Sequence, residues 1–109
     1  MEEASQEGLS KYQIALELKV AEKIKMGQTG DKEWRTIMMK ESNKLVQAAV
    51  MKNPRISDGE VLMVAKTRTS SDDLIRMILL NKDWVKKYEI KKALLIHPKT
   101  PPPKALRFV

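Results

Sequence analysis

Cysteine is absent from this chain and histidine occurs once. Those two scarcities remove disulfides, thiolate metal sites and any Cys–His pair. Long apolar runs are missing as well, and no stretch approaches the ~18 residues needed to span a bilayer. The opening MEEASQEGLS is acidic and polar. It has neither the basic nor the apolar region of a secretory signal, so a cytoplasmic protein is expected. Period-two alternation is not found, and no Asn-Gly turn separates apolar runs, so strands are not expected. With four glycines in the whole chain, a phosphate-cradling loop is hard to assemble. GQTGDK at Gly27–Lys32 is too short and has no preceding strand. No Gly-flanked Ser resembles a nucleophile elbow. Asp72-Asp73 is the only adjacent acidic pair after the first residues, and helix capping accounts for it better than a metal. The expectation is a non-enzyme with no cofactor.

What the chain does have is a stretch that occurs twice. VQAAVMKNPRISDGEVL at Val46–Leu62 lies over IKKALLIHPKTPPPKAL at Ile90–Leu106 with a constant offset. Val46 meets Ile90, Ala49 meets Ala93, Val50 meets Leu94, and Leu62 meets Leu106. Asn53-Pro54 meets His97-Pro98. In each copy an apolar-periodic segment runs into a Pro, which lacks an N–H and pushes the preceding residue out of the α region. Ser57, or the Pro run from Pro101, then opens the next helix. The unit is helix, proline corner, helix, and a period in the forties is that of stacked helical repeats.

Taken in order, residues 1–8 read as a flexible leader and 9–109 as one helical-repeat domain. Ser10 caps a first helix to about Met26, with Ile14, Leu18 and Ala21 inward and Gly27 as its left-handed stop. A second helix covers about Asp31–Met39, with Trp34, Ile37 and Met38 on one face. The third, about Asn43–Lys52 with Ser42 as a possible cap, turns Leu45, Val46, Ala49 and Val50 inward. Ser57 and Glu60 form a capping box for the fourth, about Asp58–Lys66. Ser70 with Asp73 opens the fifth, about Ser71–Leu80, and Asn81 is a left-handed stop. Asp83 caps a short turn through Trp84 and Val85. The sixth runs about Tyr88–Ile96, and a seventh begins near Pro103. Helices this short cannot bury their apolar stripes alone, and stacking solves that. The end at Phe108-Val109 is apolar, as at an open end covered by further chain or by another copy in a homodimer.

Charge is uneven. The net charge is +7, and residues 82–109 hold eight basic groups against Asp83 and Glu89. Lys82, Lys86, Lys87, Lys91 and Lys92 crowd together, with Lys99, Lys104 and Arg107 following. Trp84 and Tyr88 lie among them and could stack on bases. Against a nucleic-acid surface, lysines commonly serve as solvated helix faces. Trp84 also follows the same kind of inter-helix position as Trp34, where a core role is the plainer one. His97, just before a Pro, suits a partner for local backbone better than a general base.

The Asn53-Pro54, Leu62, Ala65, Leu79 and His97-Pro98 positions resemble HEAT-like repeats and the leucine-rich repeat variant. NPRIS at Asn53–Ser57, LNKDW at Leu80–Trp84 and KALLIHPKTP at Lys92–Pro101 look like those of bacterial helical-repeat proteins of uncharacterised role. The resemblance implies an all-α fold, a short right-handed α-solenoid of about six to seven helices. It implies a scaffold that binds a protein partner, with nucleic acid as the alternative.

Overall fold

The structure is a computed structural model that describes residues 11–100. Among these residues every regular element is a helix. They are α1 (Lys11–Ala15), α2 (Val20–Thr29), α3 (Lys32–Met39), α4 (Lys44–Met51), α5 (Asp58–Lys66), α6 (Asp72–Leu80), α7 (Lys82–Val85) and α8 (Tyr88–Ile96). No described helix is long and apolar enough to cross a membrane. The expected leader, the Ser10 cap, the helix from Pro103, Leu106 and the Phe108-Val109 end lie outside the described residues. The chain divides into two compact units between Ile56 and Ser57.

In the first unit, α2 packs against α3 and α4, α3 against α4, and α1 against α3. Its core gathers Ala15, Ile37, Met38, Val46 and Val50, with Leu18, Ile24, Met26, Trp34 and Ile56 around them. The single helix expected up to Met26 is in fact two, broken at Leu16–Lys19. Periodicity explains the break. Ile24 is nine residues beyond Ala15, which at about 100° per residue sets it half a turn away on an unbroken helix. The interruption brings both to one core and leaves Ala21 exposed. The Lys19 N–H, freed there, donates to Glu22 Oε1 at 2.8 Å.

Gly27 is not a stop. The helix runs on to Thr29 and ends at Gly30, whose backbone is extended. Gly27 is buried where α2 crosses α4, and a Cβ there would sit 3.2 Å from Val50 Cγ2 and 3.3 Å from the Val46 carbonyl. At Gly30 a Cβ would fall 2.4 Å from the Met26 carbonyl oxygen and 2.6 Å from Trp34 Cβ. Both glycines therefore serve close approach rather than a left-handed turn.

Asp31 caps α3 by accepting from Trp34 N–H at 3.0 Å. Asn43, rather than Ser42, caps α4 through Leu45 N–H at 2.8 Å. Val46, Ala49 and Val50 face inward as the pattern predicts, but Leu45 is 65% exposed. It lies about a quarter turn from the Val46–Ala49–Val50 stripe. Lys23 on α2 is paired with Glu41, just after α3, at 2.9 Å.

In the second unit, α5 packs against α6 and α8, and the short α7 joins α6 to α8. Val61, Val64, Ala65, Leu74, Ile75, Ile78, Val85, Ile90, Ala93 and Leu94 are buried, whereas Leu62 is only partly so. The capping box forms as read. Ser57 Oγ accepts from Glu60 N–H, and Ser57 N–H donates to Glu60 Oε2 at 2.8 Å. Ser71 is the cap of α6. Ser70 instead donates its hydroxyl to the Val64 carbonyl at 2.8 Å, a second donor beside the Thr67 N–H for this acceptor near the end of α5. Asn81 is extended, and it, not Asp83, caps α7 by accepting from Trp84 N–H.

Candidate functional site

The two proline corners are built alike. Asn53 is 2% exposed. Its Nδ2 donates to the Gly27 and Gly30 carbonyls at 2.9 and 3.0 Å, and its Oδ1 accepts from Arg55 N–H at 2.8 Å. Ile56 N–H donates to the Asn53 carbonyl. His97 follows the same pattern within its own unit, with one donor where Asn53 has two. Its Nδ1 accepts from Lys99 N–H at 3.1 Å, Thr100 N–H donates to the His97 carbonyl, and Nε2 lies 2.7 Å from the Thr67 carbonyl. Because Nδ1 accepts, the proton belongs on Nε2, which donates to Thr67. The imidazole thus copies a primary amide: an acceptor near the backbone, a donor further out. Each closing residue reaches the C-terminal end of the first full helix of its unit, α2 or α5. Its polar atoms are committed to backbone, which leaves His97 no free base for catalysis.

The aligned apolar pairs Val46 and Ile90, Ala49 and Ala93, and Val50 and Leu94 are all buried, and both prolines are exposed. The six apolar side chains pack into the cores of their units.

The predicted basic set spreads over the second unit. Lys82 lies on α7, Lys86 and Lys87 link it to α8, and Lys91 and Lys92 lie on α8. Lys104 and Arg107 are outside the described residues. Lys87 faces Asp58 at 3.5 Å, an exposed pair that contributes little. Trp84 is half-buried, so its ring is not an open stacking platform. Tyr88 is 72% exposed, with Lys91 and Lys92 one turn on along α8. On this outward face Leu95 is 46% and Ile96 78% exposed. Ile90, Ala93 and Leu94 already fill the inward stripe, and Leu95 sits about a third of a turn beyond it.

Beside that face is a trough of about 350 Å³, lined by residues of α5 and α8 and of the links that follow them. Buried Ala65, Ala93 and His97 line it, as do exposed Lys66, Arg68, Glu89, Lys92, Ile96 and Pro98. Sequence reading missed Lys66 and Arg68 because they precede the basic cluster and meet Lys92 only through the packing of α5 on α8. Among the described residues Lys66, Arg68 and Lys92 make no ion pair.

No protein-family model, curated protein or solved structure matches this chain. Its reading therefore rests on its own residues. Among the described residues no three or more His, Asp or Glu groups converge as a metal site would require. The first unit's open groove, along Tyr12, Lys32, Glu33, Thr36, Ile37 and Lys40, holds one carboxylate and two ammonium groups. It contains no nucleophile paired with a base.

Proposed function

We propose that the chain is a non-catalytic protein-interaction module, a short HEAT-like helical stack whose second unit presents α8 to a partner polypeptide. The observation that carries this reading is the outward face of α8. Tyr88, Leu95 and Ile96 occupy positions i, i+7 and i+8 of one helix, and all three are open to solvent. Clustered exposed apolar side chains rimmed by charge are the mark of an interaction surface, and aromatic anchors with an apolar centre suit a protein partner. The test places a photo-crosslinking residue at Leu95 and, as a control, at exposed Lys40. A discrete polypeptide adduct at Leu95, lost when Tyr88→Ser and Ile96→Ser are combined, supports the proposal. Adducts to nucleic acid alone, or to nothing, refute it.

A nucleic-acid-binding reading draws on a separate observation: Tyr88 projects with Lys91 and Lys92 one turn along the same helix. An exposed ring between phosphate-neutralising cations can hold a single strand. Its support is narrower, because the half-buried Trp84 offers no second open ring. Binding of a labelled single strand that falls steeply with salt and is lost in Tyr88→Ala would favour it.

A further inference from the structure

We infer that the trough between the C-terminal ends of α5 and α8 takes an acidic peptide segment carrying an aliphatic side chain. This rests on the protein-interaction reading and narrows it to one partner chemistry. The trough has the dimensions of a small ligand site, at about 350 Å³. Two alanines, Ala65 and Ala93, supply buried lining. Small side chains at facing helix positions leave room for a side chain from outside, and Ile96 and Pro98 extend the apolar wall. A leucine-sized group set there would lose water against carbon on more than one side.

The rim fixes the sign of the partner. Lys66, Arg68 and Lys92 are exposed, and none makes an ion pair among the described residues. Glu89 is the one carboxylate in the lining, so the formal balance is three positive charges against one. Carboxylates flanking an aliphatic residue would meet the guanidinium of Arg68 and the two ammonium groups. Nucleic acid fits less well, because no Phe, Tyr or Trp ring lines the trough to stack on a base, and the His97 imidazole there is buried and tied to backbone through both ring nitrogens. Glu89 would also oppose a continuous phosphate backbone. Charge complementarity of this kind acts mainly on encounter rate and specificity, so binding should weaken as salt rises.

The probes are fluorescein-labelled decapeptides read by anisotropy. The first has a central Leu flanked by Glu on both sides. The second has Ser in place of that Leu, and the third has Gln in place of every Glu. A labelled ten-nucleotide dT strand is the fourth. The first peptide should bind at low salt, and each altered peptide should bind at least about fivefold more weakly, as expected when an apolar anchor or a set of charges is removed. Lys92→Glu, and Lys66→Glu combined with Arg68→Glu, should each weaken it at least about tenfold through reversed charge. Lys44→Glu, on the first unit, should leave it unchanged. All these positions are exposed, so the variants should keep their helicity by circular dichroism. Absence of binding by the first peptide, or binding indifferent to the Lys92 and Lys66/Arg68 changes, overturns the inference. So does tighter dT binding that is lost in the same variants. If the peptides fail while a polypeptide still crosslinks at Leu95, the trough assignment falls and the interaction module stands.

Discussion

Replacing Asn53 by alanine should remove more stability than any surface change in the first unit. Its side chain makes three hydrogen bonds to backbone, to Gly27, Gly30 and Arg55. At about 1 kcal/mol net for each, the loss is about 3 kcal/mol. The Gly30 carbonyl keeps the Arg35 guanidinium as a donor, at 3.2 Å, which tempers the loss there. The Gly27 carbonyl and Arg55 N–H lose this partner outright. A small unit is stabilised by roughly 0.05–0.15 kcal/mol per residue, so such a loss is a large share of the whole. Asn53→Asp sharpens the test. It keeps the acceptor for Arg55 but sets a carboxylate against two carbonyl oxygens, so it should cost at least as much as alanine near neutral pH. The assay is urea unfolding followed by tryptophan fluorescence. Trp34 belongs to the first unit and Trp84 to the second, so Trp84→Phe isolates the signal wanted. With a urea slope of about 1 kcal/mol/M, the alanine midpoint should fall by roughly 3 M. A shift worth less than about 0.5 kcal/mol, the scatter usual for surface changes, would refute the assignment of Asn53 as a stabilising clasp.

Three further outcomes follow from packing, charge and capping. Gly30→Ala should cost about 3 kcal/mol by forcing backbone and Trp34 apart, and Gly27→Ala about 1 kcal/mol after its gain in helix propensity, whereas Gly59→Ala, whose Cβ would meet Ser57 Oγ at an ordinary 3.9 Å, should be neutral or gain up to about 1 kcal/mol, all by urea unfolding. Lys11 donates to Asp31 at 2.8 Å, and this bond is the main cause that raises the Lys11 ammonium and lowers the Asp31 carboxyl, which the Trp34 N–H lowers further. The Asp31 contribution is therefore present above the ordinary carboxylate range and lost as acid protonates it, and that of Lys11 is present below its ordinary range and lost as base deprotonates it. In Lys11→Met the Asp31 carboxyl should titrate higher by carbon NMR, and an unmoved titration would remove the pair. Ser57→Ala should cost about 1 kcal/mol in the second unit, read through Trp84, because the Glu60 N–H loses its acceptor.

The helix content was legible because proline, serine and apolar spacing agreed along most of the chain. α5 and α8 have the residue limits expected from the capping box and the Tyr88–Ile96 stripe. What escaped was set by tertiary packing. Nothing local marks the break at Leu16–Lys19, since only a shared core demands that Ala15 and Ile24 face the same way. Gly27 followed by a polar turn looks like a stop, and its actual task is visible only once Val46 and Val50 lie against it. Capping residues shifted by one or two positions at Ser71, Asn43 and Asn81, where several small polar side chains compete for one role. The basic cluster was readable as charge. The trough was not, because Lys66 and Arg68 join Lys92 through the contact of α5 with α8.

The clasp at each proline corner has a consequence for how such a chain can change over generations. The side chain that fastens Asn53, and the one that fastens His97, each tie to carbonyls of the same unit. A gene segment encoding one block could then be copied or dropped without stranding the bonds of its neighbour's clasp. Histidine at such a corner supplies one acceptor and a single donor, so it can fasten one carbonyl where asparagine fastens two.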